Sequence, residues 1–407
     1  MKVIIVGAGL SGLVSGLKLQ EAGHEVVVLE ARDRVGGRVL TVRDGFADGQ
    51  YADVGAMILY EGQPNILELC DRYGLELTPY VTFGAELPAL LLGGGLLDAD
   101  TVGAAFGELG GAHEQTPPVP FETLAAWIRR ARLSATPHAF LEALIQIQPS
   151  IPLRFVDAHA LHLGPEVFCQ IAGGNDQLPR KIAEGLDVRL GQVVRTIGWS
   201  GPGVTVETES ETLTGDVAVA AVPGPLTTEL GWDPPLPAEK VAALVSMRYG
   251  TGAGVAVQYA ETGTIRPAIQ TGIFTDRLPN WFLDVSANQP GDSIVVVSIL
   301  SAERQPRLDE QTILEESDRT MGMVAGGSVT RTHGSVVSWT DDPYSRCIAR
   351  APIGDQRETL LPPIRAPLDE RVYFAGEHTD DRPGPGGMEG AIKSGYRVAA
   401  EILDAMK

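Results

Sequence analysis

The first thirty residues, MKVIIVGAGLSGLVSGLKLQEAGHEVVVLE, constrain this chain more than any other stretch. KVIIV, residues 2–6, is a β-branched run that reads as a buried parallel strand. Gly7, Gly9 and Gly12 follow in G-x-G-x-x-G spacing and open the helical stretch LVSGLKLQEAG. In such a turn Gly7 permits the sharp bend, Gly9 lets the backbone approach a pyrophosphate, and Gly12 lets helix and strand pack closely. The helix N-terminus offers N–H groups and the positive end of a dipole to phosphates. Gly23 stops the helix, and HEVVVLE reads as a second strand ending in Glu30. An acidic side chain there accepts hydrogen bonds from both ribose hydroxyls and repels a 2′-phosphate, which argues against NADP. G-x-G-x-x-G alone is weak evidence. With strand, helix, strand and terminal acid in register, it specifies a dinucleotide site.

The next eight residues separate NAD from FAD. In ARDRVGGR, residues 31–38, Gly36 and Gly37 let the chain pass close to a second phosphate region, and Arg38 can pair with the pyrophosphate. Arg32 lies in the same segment. A free NAD site does not need this extension. The pattern E-A-x-x-x-x-G-G-R resembles the second signature of the flavin-containing amine oxidase superfamily, which includes monoamine, polyamine, L-amino-acid and protoporphyrinogen oxidases and phytoene desaturases. Three later stretches resemble that superfamily in order. In ADVGAMIL, residues 52–59, Gly55, Ala56 and Met57 match the loop placed beside the isoalloxazine. IAGGNDQLPRKIAEGL, residues 171–186, resembles the return to the FAD domain, and Val194 beyond it matches the residue whose backbone meets the adenine. RVYFAGEHTDDRPGPGGMEGAIKSGYRVAAEIL, residues 371–403, resembles the FAGE…MEGA…SG signature. There Gly376 and Glu377 end a strand at the cofactor, and the N–H of Met388 points at the flavin C2=O and N1, where a helix dipole would stabilise reduced flavin.

The resemblance implies non-covalent FAD in a Rossmann-type α/β domain built from three pieces, 1–80, 173–230 and 345–407. The intervening segments 81–172 and 231–344 would form an inserted α+β substrate domain on a mixed sheet. FETLAAWIRRARL and AFLEALIQI read as amphipathic helices. VAVQYAE and DSIVVVSIL read as strands of that sheet, and VTVETE and DVAVAAVP as strands of a small sheet attached to the Rossmann core.

Departures from the family pattern bear on the reaction. The lysine usually found near flavin N5 falls at Gly254, in RYGTGAGVAVQY. The two aromatic residues that usually cage an amine fall at Gly387 and Ala349. Small residues leave room for a bulkier substrate. Cys347, in DDPYSRCIAR, lies one residue before the position of a covalent flavin link, which Ile348 occupies; a buried thiol acting as a small hydrophobe is the plainer reading. No catalytic base stands out: His162, paired with His159 at i, i+3 in VDAHALHL, and the tryptophans Trp281 and Trp339 are weak candidates. His378 reads as support for the cofactor. No cysteine or carboxylate completes a metal set around the histidines, so no metal site is expected.

Composition sets the partners. The chain has 407 residues, a formal net charge of -20 and three cysteines without a CxxC pair. An acidic surface disfavours nucleic acid and anionic membranes. An odd cysteine count gives no disulfide framework, so a reducing, cytoplasmic setting is expected. No stretch reaches about 18 uninterrupted apolar residues, so no membrane span is expected. The resulting expectation is a bacterial-type FAD-dependent oxidoreductase. It would take a small-molecule substrate, amine or amino-acid-like, by hydride transfer to N5, with O2 or another acceptor reoxidising the flavin. Dehydrogenation of a non-amine, or isomerisation without net redox turnover, stays open, as does a homodimer.

Overall fold

The computed structural model describes residues 1–83, 87–147, 151–161, 166–260, 262–301, 308–351, 356–382 and 386–407. The two β-branched runs of the N-terminus pair in parallel, Lys2 opposite Glu25 and Val6 opposite Leu29. Val217–Ala220 adds on the other side of Lys2–Val6, and Val372–Phe374 and Asp187–Arg189 form the edges of this five-stranded parallel sheet. Parallel strands covered on both faces need continuous apolar runs; Val3, Ile4, Ile5, Val28 and Val219 are fully buried.

One face carries the helices Leu10–Glu21 and Gly387–Asp404, whose Leu13, Val14, Val398 and Ile402 share a core with Val3, Ile5 and Val28. The other face carries a four-stranded sheet of Thr212–Gly215, Val204–Thr208, Val194–Gly198 and Gly231–Asp233. Its Ile197, Val206 and Leu213 pack on Ile4, Val27 and Phe374. VTVETE thus lies in the small sheet as expected. VAVA at 217–220 does not: all four residues are buried, and only the centre of the parallel sheet covers such a strand on both faces.

The third sheet has seven strands in the order Arg331–Ser338, Gly252–Tyr259, Ile294–Ser301, Trp281–Asp284, Ile273–Thr275, Ala89–Leu92 and Gly95–Leu96. It is mixed, because Ile273–Thr275 runs parallel to Ala89–Leu92 while its other pairs are antiparallel. Helices Ala99–Gln115, Leu124–Ala131 and Ala135–Ile147 cover one face. Asp98 and Thr123 cap the first two, accepting hydrogen bonds from the N–H groups of Thr101 and Ala126. Trp127, Phe140, Phe274, Trp281 and Leu283 form one core there, and Val54 and Met57 belong to the same cluster. The fold is therefore a Rossmann-type α/β unit joined to an α+β unit on a mixed sheet. The loop at 54–57 lies where the two cores meet.

Candidate active site

A cavity of about 820 Å³ runs from the tip of the parallel sheet to the edge of the mixed sheet. One end is lined by Gly7, Gly9, Glu30, Arg32 and Val194, the middle by Gly37, Arg38, Gly376 and Glu377, and the other end by Gly55, Ala56, Met57, Trp339, Ala349, Gly387 and Met388. Residues from the glycine turn, the GGR segment, ADVGAMIL and the FAGE…MEGA stretch therefore line one cavity, although they are spread over nearly the whole chain; none of 171–186 lines it.

At the first end the glycine turn is set by the sheet. A Cβ on Gly12 would lie 2.0 Å from the Gly7 carbonyl oxygen, so only glycine lets the helix start this close to the strand. Glu30 is buried. It accepts hydrogen bonds from the Ala8 N–H at 2.8 Å and the Arg32 N–H at 3.0 Å, one on each carboxylate oxygen. Each oxygen keeps a further lone pair for a ribose hydroxyl. Arg32 donates to Asp342 at 2.6 Å and Ser345 at 2.9 Å, which ties segment 342–345 over this end.

In the middle, Arg38 and Glu377 form an ion pair at 2.9 Å, joining the GGR and FAGE motifs. Nη1 of Arg38 also donates to the Ile348 carbonyl at 2.9 Å. These contacts use one nitrogen of a guanidinium with five donors. Burial pushes the Glu377 carboxyl up, but Arg38 and Arg350 outweigh it and hold the group below its ordinary range. Burial drives His378 down to about 4, so it is neutral at pH 7.

At the far end, loop 54–57 is held from several sides. The Val54 N–H donates to the Leu40 carbonyl at 3.0 Å, and Trp339 Nε1 donates to the Val54 carbonyl at 2.9 Å. The Ala56 N–H donates to the Arg38 carbonyl, and the Ala56 carbonyl accepts from Asn175 Nδ2 at 3.0 Å. Asn175 is fully buried, and its own N–H donates to Asp53 at 3.1 Å. Burial lifts Asp53 to about 7, against the pull of bonds from Thr41 and Asn175. Asn175 and Asp53 stand inside stretches singled out from sequence, yet neither was recognised as holding this loop. A buried polar residue between two glycine-rich motifs was the available signal.

The positions that depart from the family pattern differ in kind. A Cβ on Gly254 would lie 1.8 Å from the Val54 carbonyl oxygen, so the strand Gly252–Tyr259 crosses directly against the loop and no side chain fits between them. Gly387, with φ of 57°, has nothing within 4 Å of a Cβ. Ala349 and Ile348 line the cavity; Cys347 is fully buried, with Sγ 3.6 Å from Arg38 Nη1. Met388 lies in the first turn of the helix Gly387–Asp404, where N–H groups lack intrahelical acceptors.

The weak catalytic candidates separate. Trp339 lines the cavity, but its indole N–H is spent on Val54. Trp281 does not line it: the ring is wholly buried in the core under the mixed sheet, because its strand faces the covering helices there. His162 lies outside the described residues. His159 sits in a single turn, Ala158–Ala160, rather than on a helix face, and its half-exposed ring lies 3.1 Å from Asp157. Among the described residues no group of three or more His, Cys, Asp or Glu side chains could hold a metal ion. No described helix is long and apolar enough to cross a membrane.

A dinucleotide-binding parallel sheet, a second domain on a mixed sheet and one cavity shared between them define the class of two-domain flavoprotein oxidoreductases. The chain belongs to the flavin-containing amine oxidoreductase family, whose model matches residues 10–101 and 95–403. It is 27% identical to an L-amino-acid oxidase of Mus musculus over 98% of this chain and 70% of that protein. It is 26% identical to the flavin-containing amine oxidase A of Equus caballus, over 99% of this chain and 85% of that one. Among solved structures, putrescine oxidase bound to putrescine superposes with a TM-score of 0.82 at 22% identity, covering 99% of both chains. Cyclohexylamine oxidase from Brevibacterium oxydans superposes at 0.83 with 19% identity, covering 100% of this chain and 99% of that one. The protein is an FAD-dependent oxidoreductase, and the glycine turn and the open lone pairs of the buried Glu30 fit that cofactor.

Proposed function

We propose that this enzyme oxidises a small organic substrate, amine or amino-acid-like, at the end of the cavity lined by loop 54–57. Bound FAD supplies a hydride acceptor at N5. Glu30 would hold the adenosine ribose, the Gly7–Gly12 turn and Arg38 the pyrophosphate, and the first turn of the helix at Gly387 the pyrimidine edge of the flavin. The observation that carries the reading is the convergence of these elements on one cavity whose far end is apolar, walled by Val54, Met57, Phe168, Ile299 and Trp339. Such walls keep water from the reacting carbon. The flavin is held without a covalent link, because Ile348 stands where a linking thiol would have to be and Cys347 is turned into the protein. The pieces 1–80, 173–230 and 345–407 serve the cofactor, and 81–172 and 231–344 the substrate. The enzyme works in the cytoplasm and passes electrons to O2 or another acceptor.

A second reading, oxidation of a C–C bond in a non-amine, is favoured by one observation: the Val54 carbonyl excludes a lysine at 254. Anaerobic mixing with candidate substrates separates the two. Bleaching of the visible flavin band by amines or amino acids supports the first reading. Bleaching only by non-amines supports the second. Product without any bleaching would overturn both in favour of isomerisation. Acid precipitation should release the FAD to the supernatant; flavin retained in the pellet would contradict non-covalent binding.

A further inference from the structure

We propose that Arg382 is the specificity-determining residue of the flavin end of the cavity, a subsite for a substrate carboxylate that also disfavours diamines. The proposal rests on the reading above, that the substrate meets the flavin at this end.

Arg382 lines the cavity beside Gly386, Gly387 and Met388, and its side chain is 26% exposed. Its Nη2 donates to the Gly386 carbonyl, and its Nε lies 2.7 Å from Asp380 Oδ2. A Cβ on Gly390 would lie 3.0 Å from Nη2 of Arg382, so the guanidinium lies against the first turns of the helix Gly387–Asp404, and Gly387, three residues earlier, leaves open space in the cavity that both Arg382 and Gly387 line.

Its charge is also shared in an unusual way. Four other arginines line the cavity, each with its own carboxylate: Arg32 with Asp342, Arg38 with Glu377, Arg195 with Glu209 and Arg346 with Glu229. Arg382 instead shares Asp380 with Arg350 at 3.7 Å and Lys393 at 3.9 Å. Asp380 is buried behind it and does not line the cavity. If Arg382 turns one edge of its fork to a ligand, Asp380 keeps two cations, so little compensation is lost. A planar guanidinium then meets a carboxylate through two parallel N–H bonds.

The rest of this end carries no opposing charge. The carboxylates among the described lining residues are Glu30, Glu209, Glu229 and Glu377. The first three belong to the adenosine end, and Glu377 is held by Arg38. A second ammonium, as in a diamine, would be buried against apolar walls without a partner, which is costly. In a chain of net charge -20 an anionic substrate is repelled overall, so a local cation is what would retain it.

The test is titration of the yellow holoenzyme with benzoate, benzyl alcohol and 1,4-diaminobutane under anaerobic conditions, read as the shift of the visible flavin band. Wild type should bind benzoate more tightly than the other two. Arg382→Met should weaken benzoate at least tenfold and leave benzyl alcohol within twofold, and Arg382→Lys should restore part of the loss. Arg382→Gln, which keeps a donor toward Asp380, should weaken benzoate as much as Met does. Benzoate bound equally by wild type and Met variant, equal losses for benzoate and benzyl alcohol, tighter binding of the diamine, or no response of wild type to benzoate would each overturn the proposal. Purification of a chain with no flavin band would instead overturn the reading on which it rests.

Discussion

The two ends of the cavity are built on different principles. The end proposed for the adenosine is made of local geometry: strand, turn and helix follow one another within thirty residues, and Glu30 receives its bonds from Ala8 and Arg32. The end proposed for the flavin ring is made of long-range contacts. Loop 54–57 is fixed by Leu40, Asn175 and Trp339, and Gly254 is pressed against it from a strand of another sheet. The first end tolerates variation in what surrounds it, because its parts bring one another into place. The second depends on a loop and a strand of another sheet meeting with no room for a Cβ between them.

Substitution at the meeting point should expose that dependence most strongly. Gly254→Lys should cost about 3 kcal/mol or more, since its Cβ alone overlaps a backbone carbonyl that cannot move without the flavin loop. Thermal unfolding and flavin content should fall together; a variant as stable as wild type would show that the strand and loop part easily.

Acid should distinguish two buried groups. His378, held down to about 4, stays neutral in the fold while the unfolded chain protonates near 6.5. Its contribution is present above pH 6.5 and is lost as pH falls through 4. Asp53, lifted to about 7, has the opposite sign: its contribution is full below its ordinary value and is lost as pH rises through 7. The two oppose each other between pH 4 and 7. Asp53→Asn removes one of them, so between pH 7 and pH 5 it should lose roughly 2 kcal/mol relative to wild type, as measured by urea unfolding. Parallel pH profiles for the two proteins would refute the assignment to Asp53.

At the adenosine end, Glu30→Ala should weaken FAD about tenfold or more, the order expected for losing charge-assisted hydrogen bonds. Glu68→Ala, on the exposed face of the helix Pro64–Arg72, serves as the control. Equal flavin occupancy in the two would undo the ribose assignment. The smallest effect is expected at Gly387→Tyr. Space is open there, and the positive φ should cost about 1 kcal/mol. A collapse as large as that of Gly254→Lys would erase the distinction between an excluded and a merely absent side chain.

The motifs were legible because they are local. KVIIV, the glycine turn and HEVVVLE could be read as strand, helix and strand from period and turn chemistry alone, and the order of the later signatures implied a discontinuous domain. Where reading by period failed, burial was the reason. VAVA at 217–220 has the same pattern whether it lies in the small sheet or at the centre of the parallel one, and only packing on both faces decides between them. Trp281 and Trp339 were indistinguishable as letters. One is sunk in the core from the strand Trp281–Asp284, and the other lines the cavity from the turn that follows the strand Arg331–Ser338.

The sequence by itself determined a dinucleotide site, since a dinucleotide is recognised by backbone N–H groups, glycine spacing and one acid, all set by short-range rules, and the resemblance of its motifs to the amine oxidase superfamily implied FAD. The same resemblance implied that the usual lysine and aromatic cage are replaced by small residues. Tertiary structure decided what that means: at 254 the Val54 carbonyl occupies the space, at 387 the space is open, and Arg382 lines the same cavity. Those facts depend on distances between residues far apart in the chain, and a linear order of letters carries no distances.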